Sequence, residues 1–185
     1  MNRVYKVFWA LMLVVLVFVA VEFWRQRPQP KEVSHLVNDP KIKVEEALGI
    51  TLSNCPEMAQ NVYHYSKTKD VRVDGNTEEG IGIVYVGWQC GFRIESDKYK
   101  LFDLEIGKSR VGMESKMTYD FEDSFEIDEG FESELFGKRS DFPVFYYNRA
   151  RNDCLVVSCD KSTGIIVAVT YFSDFKRMTE RLKMQ

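Results

Sequence analysis

Residues Val7–Trp24, VFWALMLVVLVFVAVEFW, constrain this chain more than any other stretch. Val7–Val21 carries no polar side chain, and Glu22 is the only charge before Trp24. Eighteen residues at about 1.5 Å each make about 27 Å of helix, close to the hydrocarbon thickness of a bilayer. Trp9, Phe23 and Trp24 fall near the two ends, where aromatic rings favour the headgroup region. A helix buried in a globular core is the alternative, but this stretch offers no polar face to water. A cleaved leader is the stronger rival. Its cleavage after Ala20 would place Phe18 where a small side chain is required. No cysteine follows close behind to take a lipid. The stretch reads as an uncleaved signal anchor, residues 1–24, followed by a Pro28/Pro30-containing linker, residues 25–38.

Charge sets the expected side of the membrane and the expected partners. Arg3 and Lys6 precede the apolar stretch; Arg25, Arg27 and Lys31 follow it, offset by Glu22 and Glu32. The bias leans toward a cytoplasmic N-terminus and an extracytoplasmic body. Residues 1–27 balance to +3, so residues 28–185 carry −6 of the formal −3 total. An acidic body argues against nucleic acid, which wants a basic face, and against a broad contact with anionic lipid.

All four cysteines, Cys55, Cys90, Cys154 and Cys159, lie beyond the apolar stretch. Two disulfides in an oxidising compartment are expected, with four buried thiols as the alternative. Cys154 and Cys159 sit in one apparent strand. Their spacing puts them on opposite faces and about 17 Å apart, too far to bond each other. Each would then pair with Cys55 or Cys90. No close cysteine pair suggests a metal site.

Residues 39–185 read as one α+β domain of short helices on antiparallel meander sheet. Asp39-Pro40 opens a helix that runs to Leu48 and stops at Gly49. Asn54 and Glu57 have capping-box spacing for a second helix reaching Tyr65. Asp74-Gly75-Asn76 marks a turn before strands 81–86, 89–95 and 99–106. Ser109 caps a helix over 110–117. Aromatic and apolar residues then alternate with acids from Tyr119 to Asp128, giving a strand with one buried and one acidic face. Residues 130–141 read as a loop, strands follow at 144–148, 153–160 and 165–173, and a helix closes the chain over 174–184. The order of helix and three-strand meander occurs twice, so the domain reads either as one unit or as two in tandem, 39–106 and 107–185. At an offset of 56, Leu48, Ile50, Ser53 and Tyr63 fall on Leu104, Ile106, Ser109 and Tyr119.

Ile106-Gly107-Lys108-Ser109, followed by Val111 and Met113, resembles the entry to the helix of small bacterial envelope domains in which a helical unit packs on an antiparallel meander. These include the beta-lactamase-inhibitor-protein fold, with two such units, the small lipoprotein of the outer-membrane barrel assembly machine, with one, and CAP-associated N-terminal domains of Gram-positive surface proteins. Residues 142–172 resemble the sheet half of such units in membrane-anchored proteins of Gram-positive anaerobes. The likeness covers residues 47–173 loosely. The chain departs from it where Met117 runs straight into Thr118-Tyr119, without the Leu and Gly-x-Pro break of those families. The resemblance implies a non-catalytic interaction module and transfers no catalytic residue.

The residues support the same expectation. His35 and His64 lack neighbours at metal-ligand spacing, Gly80-Ile81-Gly82 lacks the rest of a phosphate loop, and no nucleophile elbow occurs. No cofactor and no metal are expected. The tract 114–134 holds nine acids and one base, Lys116. Calcium would want several of these oxygens, but no glycine falls where an EF-hand needs it. A solvated acidic face or a docking surface for a basic partner are the other readings. Asp120, Glu122, Glu126, Asp128, Tyr146 and Trp88 form the candidate interaction surface, since sheet faces bearing Tyr and Trp are common in protein contacts. The expectation is a membrane-anchored, extracytoplasmic, non-catalytic binding domain whose partner is another envelope protein. An inhibitor or immunity protein for an exported enzyme, and a thiol-dependent enzyme, are the alternatives.

Overall fold

A computed structural model describes residues 3–26, 28–39, 41–54, 63–66, 71–76, 80–81, 91–126, 141–176 and 179. It begins with helix α1, Arg3–Arg25. Fourteen large apolar side chains of α1, from Tyr5 to Phe23, are between 42% and 67% exposed. Leu11–Val19 are exposed without a break, so among the described residues no face of this part of α1 packs on the body. That removes the buried-core alternative. Among the described residues, no helix is long and apolar enough to cross a membrane.

The body is α+β with antiparallel sheets and few helices. Its elements are β1 (Lys31–Glu32), a 3-10 turn (Ser34–Leu36), α2 (Lys41–Leu48), β2 (Leu52–Asn54), β3 (Tyr63–Ser66), β4 (Val71–Asn76), β5 (Gly80–Ile81), β6 (Phe92–Ile94), β7 (Tyr99–Leu101), β8 (Leu104–Glu105), α3 (Arg110–Glu114), β9 (Asp123–Glu126), β10 (Asp141–Asn148), β11 (Asp153–Asp160) and β12 (Ile166–Phe172). The main sheet runs β2-β3-β4-β6-β12-β11-β10-β9, with β5 hung on β4. Every pair in it is antiparallel. A small second sheet runs β1-β7-β8.

Strand order follows a simple rule. After α2, the strands β2, β3, β4 and β6 lie side by side in chain order; after α3, so do β9, β10, β11 and β12. The two runs meet through their last strands, with Thr170 of β12 opposite Arg93 of β6. Both helices pack on one face of the sheet: Val44 of α2 and Met113 of α3 join the larger core with Leu52, Val71, Phe92, Ile94, Tyr146, Leu155 and Val169. On the other face a smaller core gathers Phe145, Tyr147, Cys154, Val156 and Phe172, flanked by Phe125 and Phe175.

Several sequence expectations change here. The linker is shorter than 25–38. Lys31 and Glu32 pair in parallel with Tyr99 and Lys100, and Val33, Leu36 and Val37 are buried at 0%, 3% and 6% exposure. Each such burial contributes roughly 1.5–3 kcal/mol, which Pro-rich composition alone does not reveal. The helix expected to reach Tyr65 gives way to strand at both ends, since Asn54 pairs with His64; alternating Tyr63-His64-Tyr65 suits a sheet better than its helical spacing suggested. Residues 55–62, the middle of that helix, lie outside the described residues. Asp74-Gly75-Asn76 belongs to β4, with Gly75 opposite Ile81. The strand expected over 99–106 folds back on itself at Phe102-Asp103, both at positive φ (51° and 62°). These two strands leave the main sheet, so the first meander is not made of 81–86, 89–95 and 99–106. Residues 82–90 lie outside the described residues, as do most of the closing helix and the loop 130–140.

β11 and β12 agree closely with expectation, whereas β10 already starts at Asp141 and, among the described residues of the alternating stretch from Tyr119, only 123–126 form strand. Arg149–Asn152 turns between β10 and β11, with Asn152 at φ 56°. Asp160 and Gly164 turn β11 into β12: the Asp160 carboxylate accepts the Ser162 and Thr163 amides and hydroxyls. These bonds hold that carboxyl down at about 2. The α3 helix starts after Ser109, which is extended as an N-cap should be, but its hydroxyl makes no capping bond.

Candidate interaction surfaces and a buried carboxylate

The described part of the acidic tract, 114–126, is engaged with its own chain. Arg110 lies 3.7 Å from Glu114 and 3.0 Å from Glu126. Arg151 donates to Asp120 at 3.1 Å. Glu122 accepts the Ala150 amide at 3.4 Å. Asp123 accepts the Tyr147 hydroxyl at 3.1 Å. These five acids therefore neutralise or hold neighbouring groups, though Asp120, Glu122 and Glu126 are also exposed to solvent. Asp128, with Glu129, Glu132 and Glu134, lies outside the described residues. No group of three or more metal-ligating side chains occurs among the described residues.

Tyr146 does not belong to an exposed face. It is 1% exposed, and its hydroxyl donates to Glu114 at 2.8 Å. Burial is the larger cause that pushes its hydroxyl up to about 12. Its neighbours Phe145 and Tyr147 point to the opposite face and are buried too. Phe145 stacks on Phe125 with centroids 4.8 Å apart, and Tyr147 on Phe175 at 4.5 Å. Three consecutive aromatics are therefore shared between two cores, and both faces of this part of the sheet are covered. Trp88 lies outside the described residues.

Cys154 and Cys159 are both buried and lie in opposite cores, as their spacing requires. Burial, then the neighbouring Asp153, pushes the Cys154 thiol well up, which opposes thiolate chemistry. Cys55 and Cys90 lie outside the described residues. Asn54, which precedes Cys55, ends β2, five strands from β11 in the sheet. At about 4.8 Å per strand that separation is several times the span of a disulfide. Gly91, which follows Cys90, lies against β12, the strand next to β11. An added Cβ at Gly91 would stand 2.1 Å from the Tyr171 carbonyl oxygen.

The most organised polar site was not legible in the sequence. Asp153 is 5% exposed and accepts bonds from Tyr119, from Tyr171 at 3.1 Å and from Arg151 at 2.9 Å. Arg151 also lies over the Tyr119 ring at 5.2 Å. Burial is the first cause raising both phenols, followed by contact with Asp153; Tyr171 reaches about 12 and Tyr119 is pushed higher. Phe102 closes the site, its ring centroid 5.2 Å from that of Tyr119 and 5.8 Å from that of Tyr171. Arg-x-Asp in a turn was visible; the tyrosines, 34 residues before and 18 after Asp153, were not. Every donor here meets the same carboxylate, so the cluster fixes one end of the sheet.

What these features define is an antiparallel α+β body behind an apolar N-terminal helix. Comparison with protein-family models, with curated proteins and with solved structures gave no match.

Proposed function

We propose that the protein is a membrane-anchored, non-catalytic binding domain of the bacterial cell envelope, with α1 in the bilayer and the body on the extracytoplasmic side, touching another envelope protein. The observation that carries this reading is the exposure of apolar side chains on every face of α1. Lipid is the solvent that suits such a rod. The unbroken apolar run Val7–Val21 and the aromatics near its ends support that reading. Deep burial of Cys154 weighs against the thiol-enzyme alternative. The body is further read as two tandem units, α2 with β2-β3-β4-β6 and α3 with β9-β10-β11-β12. Repetition of topology supports that reading better than the offset of 56, which sets the end of α2 against β8.

The test is fractionation of cells making the full chain. Material that stays with membranes after an alkaline wash, and is digested by protease added outside, is the expected result. Recovery in the wash, or protection of the body until the cells are opened, would overturn it.

A further inference from the structure

We infer that the Phe102-Asp103 turn is a strained switch, held in place by Glu32 of the segment that joins α1 to the body. Two-residue hairpin turns with positive φ at both positions favour Asn-Gly, because a Cβ is costly there. This chain places Phe and Asp there, at φ 51° and 62°. Such strain persists where the surroundings over-determine it, and it gathers at switch regions. Here the surroundings centre on one carboxylate, beside the Lys100 ammonium, which bonds the Asp103 carboxylate and stands 4.0 Å from Glu32 Oε2. Glu32 Oε1 accepts the Phe102 amide at 3.2 Å, and Oε2 accepts the Asp103 amide at 3.0 Å. The same Oε1 accepts the Val33 and Ser34 amides and the Ser34 hydroxyl. Ser34 Oγ accepts the Phe102 amide as well, at 2.6 Å.

Phe102 carries the state of the turn inward. Its carbonyl accepts the Thr118 amide at 3.1 Å, and its ring covers Tyr119 and Tyr171, whose hydroxyls hold Asp153. When the segment 31–34 is displaced, the two amides lose their acceptor and the turn relaxes toward negative φ. Phe102 then leaves the tyrosines. The position of the joining segment is thus read at the buried carboxylate, whatever holds α1.

The experiment is amide hydrogen exchange on the full chain. In Glu32→Ala, exchange at 102–104 and 118–119 is expected to quicken at least tenfold, with 144–147 and 155–158 unchanged. Ser34→Ala, a gentler change, gives the same pattern to a smaller degree. Adding Asp103→Gly to Glu32→Ala relieves the strain at one of the two positions and restores protection at 102–104. A quickening confined to 31–36, a uniform rise over all strands, or no restoration by glycine overturns the inference.

Discussion

Asp153 is a buried carboxylate that accepts from Tyr119, Tyr171 and Arg151, so it is the residue at which stability can be tested most directly. Asp153→Ala takes this acceptor from the Tyr119 and Tyr171 hydroxyls, while the Arg151 guanidinium keeps Asp120. A loss of about 2–4 kcal/mol is expected, read from urea unfolding of the body. Tyr171→Phe removes one donor only and costs about 1 kcal/mol. The phenols give a pH dependence with a definite sign. Tyr146 and Tyr171 titrate at about 12 in the fold against about 10 when unfolded. Between those values the unfolded chain has lost protons that the fold retains, so stability falls as pH rises. Alkaline unfolding should begin near pH 10 and carry phenolate absorbance with it. Tyr146→Phe and Tyr171→Phe should each make the loss less steep.

At the level of elements, the junction of β6 and β12 joins the two runs of strands, and Gly91 lies against it. A methyl group there meets the Tyr171 carbonyl oxygen at 2.1 Å, and backbone cannot step aside as a long side chain can. Gly91→Ala should cost at least about 2 kcal/mol, seen as a lower urea midpoint. Gly112→Ala, with open space around it, serves as the control and should be neutral or stabilising. These strands also show why some elements could be read in advance. β10, β11 and β12 are long, rich in β-branched and aromatic residues, and bounded by turn residues such as Asn152 and Gly164. Even so, Val167 is 38% exposed within β12, because the register slips between Ser158 and Cys159; periodicity cannot anticipate that extra residue. Residues 63–66 and the reversal at 102–103 depart from expectation for another reason. Their conformation is decided by partners far along the chain, and Phe-Asp carries none of the usual marks of a hairpin turn. The Asp153 cluster was hidden in the same way, since its members meet only through the fold.

For the molecule as a whole, removal of residues 1–25 should release a body that remains in solution and unfolds in one transition at a midpoint near that of the full chain in detergent. A large drop would mean that α1 supports the body, against its lack of packing there. Between the last residue of α1 and the first of β1 lie only residues 26–30. Fully extended, five residues reach about 17 Å, and Pro28 and Pro30 limit how they bend. On the proposed placement of α1 in lipid, the sheet domain would not stand off and search the surrounding volume. On that placement, whatever it meets would have to slide within the same plane or descend to headgroup height.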